Sequence, residues 1–293
     1  MKKLLSILFL FCFFNLNASL IDEYILYFEQ KLESVQNSER FNSILEQINQ
    51  KYSPKQALAT RFYIVRHGNS TANKYRYCAG QRDFYWENGE EHLINLTEEG
   101  IEQASIRAQH IRKEQKSEQW NFSSVFSSPS LRAQETAHIL LRGVNQAYLP
   151  LNIDTLLSER NSGKYEGTKK DSAFLTAEKE AAERISKLET FLEKFVTKWD
   201  PQDAEEEPLI DIFRRMHTFF QQTIHTTQHA QKYILVVSHA ISMKTLFMAE
   251  CARKYNVDIE ESHIENTNGS VLILDVFPDR VELVKVIGYK FRS

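Results

Sequence analysis

Short apolar runs alternate with longer amphipathic stretches over most of the chain. Five of the runs have the length and residue types of strands: residues 62–65, 124–126, 233–237, 271–276 and 281–286. The first three are each followed by a turn and a stretch with helical spacing. Alternation of this kind indicates an α/β fold. The pattern predicts a three-layer sandwich with a largely parallel central sheet.

Two further segments have helical periodicity. Between residues 21 and 48, apolar side chains recur at helical spacing and predict two amphipathic helices. We expect them to form an N-terminal extension, residues 19–58, that packs on the main domain. Residues 169–210 predict a helical cap inserted into that domain, which spans residues 60–293. The acidic run at residues 205–207 predicts a solvated face or a helix start rather than a set of ligands.

The first residues have the pattern of an export signal. Met1-Lys2-Lys3 is a basic start, residues 4–14 are apolar apart from Ser6, and Ala18 offers a small residue for cleavage. The apolar run is too short to span a bilayer comfortably. We therefore predict a signal peptide over residues 1–18 and an exported protein, periplasmic or secreted, without a stable membrane span after cleavage. An uncleaved anchor is the alternative.

Composition narrows the possible partners. The chain has 293 residues, 42% of them hydrophobic, which is enough to bury a substantial core. A net charge of -3 gives no sign of the basic surface that non-specific nucleic-acid binding requires, so we expect no nucleic-acid partner. Cys78 and Cys251 remain after signal removal. In an oxidising compartment they permit one disulfide but do not require it.

Cationic and imidazole side chains follow three of the predicted strands. Arg66 and His67 follow the first, Arg132 lies where a helix begins after the second, and His239 follows the third. Ligands of open α/β sheets collect outside the carboxyl ends of the strands. We therefore expect these groups to face one bound anion. Glu159, in a loop that also contains two glycines, offers a carboxylate.

These residues resemble a known family, the histidine phosphatase superfamily, in the branch that includes cofactor-dependent phosphoglycerate mutases. The resemblance covers about residues 61–290. It rests on the following segments: Arg66-His67-Gly68 with Asn73, Leu96-Thr97-Glu98-Glu99-Gly100 with Gln103-Ala104, Ser127-Ser128-Pro129 with Arg132-Ala133 and Glu135-Thr136-Ala137, Glu159 with Gly163 and Gly167, and Ser238-His239.

The resemblance implies a role for each residue of the site. By this resemblance His67 is the phospho-acceptor and Glu159 is the proton donor. The phosphate pocket contains Arg66, Arg132 and His239, with Asn73 as a further contact. A neutral imidazole suits the attack because an anionic nucleophile would be repelled by a doubly negative phosphate monoester. The sequence has no His-Glu-x-x-His pattern or other metal-ligand spacing, so we expect neither a metal nor another cofactor.

The resulting hypothesis is an exported phosphatase that hydrolyses small-molecule or macromolecular phosphate monoesters. Asn69 stands where the family commonly has an acidic residue or glutamine, and Ser162 stands where mutases usually carry tyrosine. The segment after Gly167 lacks the basic, proline-rich loop of a glycolytic mutase, which favours hydrolysis. Export also separates the enzyme from a glycolytic substrate. Phosphoglycerate mutase-type phosphoryl transfer and a catalytically inactive phosphate-binding module are the alternatives. The sequence leaves the substrate and the oligomeric state open.

The export signal can be tested on the mature protein. We expect the mature chain to begin close to Ser19, because signal peptidase cleaves after small residues such as Ala18. N-terminal sequencing of the exported protein measures this directly. An intact Met1 terminus on cytoplasmic material would contradict both the signal and the argument that export makes against a mutase.

Overall fold

The computed structural model describes residues 24–30, 32–50, 59–198, 200–225, 232–278 and 280–292. The predicted signal peptide at residues 1–18 lies outside these ranges. The strands are β1 (Glu33–Ser34), β2 (Thr60–Arg66), β3 (Phe84–Glu87), β4 (Glu90–Leu93), β5 (Phe122–Ser127), β6 (Leu151–Ile153), β7 (Lys232–Ser238), β8 (Val257–Asp258), β9 (Ile264–Val276) and β10 (Val281–Phe291). The helices are α1 (Ser38–Gln50), α2 (Thr71–Tyr75), α3 (Glu98–Glu118), α4 (Leu131–Gly143), α5 (Ser172–Ser186), α6 (Phe191–Val196), α7 (Leu209–His225) and α8 (Ala240–Tyr255).

A six-stranded sheet forms the centre of the part of the chain that the structure describes. Its strands follow the order β10, β9, β2, β7, β5, β6, and β9 runs antiparallel to both of its neighbours while the other pairs are parallel. Helices cover both faces of this sheet. The arrangement confirms the predicted three-layer α/β fold with a largely parallel sheet.

The two faces of the sheet belong to two separate hydrophobic cores. In β2, Phe62 and Ile64 join one core, whereas Tyr63 and Val65 join the other. Strand β7 alternates in the same way. The first core also contains side chains of α7 and α8, and the second contains side chains of α3 and α4. Because both faces are buried, each central strand is a continuous apolar run, which is why the sequence pattern located it.

Two parts of the strand pattern differ from expectation. Strand β9 begins at Ile264, well before the predicted strand at residues 271–276, and its first half pairs with the end of β10, with Asn266 opposite Tyr289. Polar residues in that half concealed it. The β3–β4 hairpin was also missed, although it turns at Asn88 and Gly89, which have φ angles of 52° and 84°. Asn-Gly is the preferred sequence for such a turn, so the signal was present.

The N-terminal segment packs against the first core. Residues 24–28 are helical, and they are followed by β1 and α1. Helical spacing predicted a first helix that continues through Leu32 to Val35, and that part is wrong. The Val35 N–H donates to Asp258 O at 2.9 Å, so this stretch pairs with β8 instead. Residues 51–58 lie outside the described ranges, and the boundary of the extension at residue 58 stays a prediction.

The acidic run in the cap segment is largely removed from solvent. Glu206 is 3% exposed and accepts a hydrogen bond from the Asp200 N–H, and Glu207 forms an ion pair with Arg215 at 2.7 Å. Of the three residues, only Glu205 is exposed. The expected solvated face is therefore wrong for Glu206 and Glu207, because backbone N–H groups and an arginine of neighbouring segments provide partners for their carboxylates. The other expectation, a helix start, agrees with the position of the run just before α7 at Leu209.

Membrane spans and disulfides can both be examined in the described residues. Within the described ranges, no helix combines the length and the apolar character that crossing a bilayer requires. Cys78 and Cys251 are both buried, and neither is in a disulfide.

Phe28 tests whether the N-terminal segment is an integral part of the core. Its ring is fully buried, with centroids 4.8 Å from Phe191 and 5.0 Å from Phe195. We expect Phe28→Ala to lower the free energy of unfolding by about 3–5 kcal/mol, because it leaves a cavity in this cluster. Leu26→Ala is the matched control, since Leu26 is 64% exposed on the same helical stretch. Denaturant unfolding measures both, and equal effects would contradict the packing.

Candidate active site

The structure brings the predicted site residues to the carboxyl edge of the sheet. Arg66 ends β2, opposite Ser238 at the end of β7, and the His67 N–H donates to Ser238 O at 3.1 Å. A cleft of about 840 Å³ opens at this edge. Five predicted residues line it: Arg66, His67, Asn73, Arg132 and Glu159. The sixth, His239, is fully buried beside it, with its ring centroid 5.1 Å from that of His67.

Hydrogen bonds fix the tautomer of His67. Its Nδ1 lies 2.7 Å from the carbonyl oxygen of Gly68, and a carbonyl can only accept, so Nδ1 carries the proton. Nε2 is then bare and accepts from the Nε–H of Arg132 at 3.3 Å. The backbone at Gly68 packs directly against the backbone at Gly100. A Cβ at residue 68 would lie 2.3 Å from Gly100 O, so only glycine fits there. Nε2 is thus unprotonated, and it can attack once the Arg132 Nε–H that it accepts is taken over by another acceptor.

The surroundings of His67 also keep the ring neutral. Burial lowers the pKa of His67 well below its usual 6.5, and the charges of Arg132 and Arg66 lower it further. Both causes disfavour the imidazolium form. At neutral pH the His67 imidazole is thus uncharged, although it lies near the charges of Arg132 and Arg66.

Arg132 is held in the wall of the cleft by main-chain carbonyls. Its Nη2 donates to Ala79 O at 3.0 Å and to Gly80 O at 2.8 Å, and its Nη1 donates to Arg82 O at 3.3 Å. The carboxylate of Asp83 lies 3.5 Å from Nη1. Burial lowers the pKa of Arg132, and the Asp83 charge opposes that shift. A phosphate group that binds the Nη atoms would replace neutral carbonyl acceptors with charged ones, which form stronger bonds.

Arg66 provides a second cation with unused hydrogen-bonding capacity. Its Nη1 contacts the carbonyl oxygen of Asn266, but its buried Nε–H finds no acceptor within the described ranges. Burial lowers the pKa of Arg66 to about 10, and Glu159 opposes that shift, so the side chain stays charged at neutral pH. A buried charged donor without a partner is costly, and an anion in the cleft would satisfy it.

His239 is held by Ser128. Its Nδ1 lies 3.4 Å from Nη2 of Arg132, which can only donate, and this neighbour favours the tautomer with a bare Nδ1 and a proton on Nε2. The Nε2–H then donates to Ser128 Oγ at 2.7 Å. Burial lowers the pKa of His239 well below 6.5, and Arg132 and His67 lower it further. The sequence identified the segment that contains Ser128, but gave no sign of this contact.

Glu159 and Asn73 complete the lining. The Glu159 carboxylate accepts from the N–H groups of Arg160 at 2.9 Å and of Ile241, in the first turn of α8, at 3.2 Å. Asn73 Oδ1 accepts from the Ser70 N–H in the capping box at the start of α2, and it also accepts from the side-chain amide of Asn268. The Asn73 amide therefore has a local structural role in addition to its place on the cleft.

Across the described ranges, no group of three or more His, Cys, Asp and Glu side chains is arranged to hold a metal ion. Independence from metal stays a prediction.

Comparison with known proteins identifies the family. A model of the histidine phosphatase superfamily (branch 1) matches residues 62–287, and the chain belongs to this superfamily. Among curated relatives, it is 26% identical over 232 residues to the 2,3-bisphosphoglycerate-dependent phosphoglycerate mutase of Haemophilus ducreyi, which covers 72% of this chain and 92% of the relative. It is also 26% identical over 185 residues to the phosphoglycerate mutase of Schizosaccharomyces pombe, covering 63% and 76% respectively.

Solved structures show the same fold. Phosphoglycerate mutase from Bacillus anthracis superposes with a TM-score of 0.59 at 21% identity, covering 79% of this chain and 94% of the other. A mycobacterial glucosyl-3-phosphoglycerate phosphatase superposes with a TM-score of 0.57 at 19% identity, covering 78% and 99%. Phosphatases and mutases both occur among these neighbours. Membership of the superfamily supports a phosphoryl-transfer enzyme and is common to both activities.

The protonation state of His67 gives a direct test of the site. We expect the ring to stay neutral, with a protonated Nδ1 and a bare Nε2, at pH 6.5, where an ordinary imidazole is half protonated. NMR of protein with ¹⁵N-labelled histidine measures both nitrogens, and His67→Ala assigns the signals. An imidazolium that titrates near 6.5 would contradict the arrangement.

Proposed function

We propose that the protein is an exported phosphatase that hydrolyses phosphate monoesters through a phosphohistidine at His67. The observation that carries the proposal is the unprotonated Nε2 of a neutral imidazole, which lies beside the buried guanidinium of Arg132 and close enough to Arg66 to feel its charge. The basic and apolar pattern of residues 1–18 supports export. The proposed enzyme needs no metal, because Arg66 and Arg132 neutralise the charge of the transferring group.

In the first step His67 accepts the phosphoryl group. Nε2 attacks phosphorus in line with the ester oxygen, the N–P bond forms, and the P–O bond breaks with its electron pair on the departing alkoxide. Glu159 gives that alkoxide a proton. Arg66 and Arg132 hold the equatorial phosphate oxygens during the transfer.

In the second step water releases the phosphate. Glu159, now a carboxylate, takes a proton from the water as the water oxygen attacks phosphorus. The N–P bond breaks, and its electron pair returns to Nε2 of His67. Glu159 is protonated again, and the enzyme is ready for another ester.

A phosphoglycerate mutase is the second candidate, because the curated relatives described above carry that name. The segment after Gly167 lacks the basic, proline-rich loop of a glycolytic mutase, which favours hydrolysis. Asn69 departs from the family pattern and Ser162 from the mutase pattern, and both positions bear on substrate choice. Asn69 Oδ1 accepts from Thr97 at the start of α3, and Ser162 is 9% exposed beside the cleft. Incubation with 3-phosphoglycerate and 2,3-bisphosphoglycerate separates the candidates, since a phosphatase releases inorganic phosphate whereas a mutase forms 2-phosphoglycerate. Absence of turnover with any phosphate ester would indicate the inactive binding module.

The variants His67→Ala and Glu159→Gln test the two roles. His67→Ala removes the attacking atom, so we expect background turnover and no acid-labile phosphoenzyme with any leaving group. Glu159→Gln cannot donate a proton, so hydrolysis of an alkyl phosphate should fall about a hundredfold to ten-thousandfold. Phosphorylation by p-nitrophenyl phosphate should fall much less, because its leaving group needs little protonation.

Rapid-quench trapping measures the phosphoenzyme in both variants. Glu159→Gln should accumulate phosphohistidine with the aryl substrate, because the resolving water has lost its base. A phosphoenzyme that persists in His67→Ala would show that another residue is the nucleophile, and His239 would be the first residue to test.

A further inference from the structure

The backbone around Glu159 has no regular secondary structure of its own. Residues 158–162 belong to neither a helix nor a strand. Two backbone N–H groups hold the carboxylate, and one of them belongs to the adjacent Arg160. The backbone is also held next to the carboxylate, since Gln81 Nε2 donates to Glu159 O at 3.3 Å and Ser242 Oγ donates to Ser158 O at 2.8 Å. The position of the acid therefore depends on these contacts and on those that fix the chain on either side of them.

An ion pair outside the cleft contacts the chain on both sides of Glu159. Arg215, on α7, donates from Nη1 to Leu156 O at 2.7 Å. Glu207 accepts from the Asn161 N–H at 3.3 Å, and its own N–H donates to Asn161 O at 3.0 Å. The two side chains bind each other through two contacts, 2.7 Å from Nε to Oε1 and 3.2 Å from Nη2 to Oε2.

The geometry of this pair favours a positioning role. A bidentate contact between a guanidinium and a carboxylate fixes both planes, and a lysine could not reproduce it. The side chains of Arg215 and Glu207 are 14% and 15% exposed, so solvent screens the pair only weakly. Neither residue lines the cleft, and neither is placed to touch a substrate there.

We propose that the Glu207–Arg215 ion pair positions Glu159 for proton transfer to the leaving group. The inference rests on the proposed role of Glu159 as general acid. The pair holds the chain before and after Glu159, and α8 holds the carboxylate from the other side through the Ile241 N–H. Loss of the pair would leave the nucleophile and the arginines in place and would displace the acid.

Glu207→Gln is the principal test. It retains side-chain length and the backbone contact with Asn161, but it loses the charged contact with Arg215. We expect kcat for an alkyl phosphate to fall about tenfold to a hundredfold, as for a misplacement of about 1 Å. For p-nitrophenyl phosphate it should fall less than about threefold, because that leaving group needs little acid. KM should change little for either substrate.

Two further variants control the experiment. Glu205→Gln changes an exposed carboxylate in the same run and should leave both rates unchanged. Arg215→Lys preserves the charge near His239 but loses the bidentate contact, so it should reproduce the selective loss on the alkyl phosphate. Arg215→Lys also tests the same ion pair independently if Glu207→Gln is unstable.

The double variant Glu159→Gln with Glu207→Gln decides how Glu207 acts. If Glu207 works through Glu159, the double variant is no slower on the alkyl phosphate than Glu159→Gln alone. Additive losses, or equal losses on alkyl and aryl phosphates, would show a merely structural role and overturn the proposal. If Glu159→Gln itself lacks leaving-group dependence, the acid assignment fails. If it shows that dependence and Glu207→Gln does not, only the positioning role is wrong.

Discussion

The contact between a buried guanidinium and a neutral imidazole is the interaction on which the site depends. Arg132 is held by the carbonyl groups of residues 79–82, and its Nε–H is directed at the bare Nε2 of His67. Arg132, which we propose as a phosphate ligand, therefore also suppresses protonation of His67, because its charge lowers the His67 pKa. The lowered pKa values also destabilise the folded protein in acid. Below pH 6.5 His67 and His239 become protonated in the unfolded chain but stay neutral in the folded protein, so the free energy of unfolding decreases as the pH falls.

The part of the site built on the sheet could be predicted because it depends on local patterns. Central strands that are buried on both faces are apolar throughout, so the polar residues that follow them stand out in the sequence. The register between β2 and β7 places Arg66 opposite Ser238, and the residues that follow the two strands, His67 and His239, therefore lie close together. The family resemblance assigned roles to the same residues, and the match of the superfamily over residues 62–287 confirms the resemblance itself.

The contacts that orient these residues could not be predicted in the same way. The acceptors of Arg132 are main-chain carbonyls of a loop about fifty residues earlier in the chain, and any residue type offers a carbonyl. The Ser128 contact with His239 and the burial of Glu206 likewise depend on tertiary neighbours. The acidic run illustrates the difference, because its sequence is typical of a solvated surface and only the fold supplies Arg215 as a partner.

The structure divides the support of the site between two regions. His67, Arg66 and Arg132 lie at strand ends and at the start of α4, whereas the segment around Glu159 is contacted by α7, α8 and Glu207. The two regions share the loop of residues 79–82, because it holds Arg132 and its Gln81 side chain donates to Glu159 O. Helix α7 is in turn anchored by Phe213, which packs on Phe28 of the N-terminal segment. Sequence changes that disturb α7 would consequently act on the segment around Glu159, whereas changes in the loop of residues 79–82 would affect Arg132 and Glu159 together.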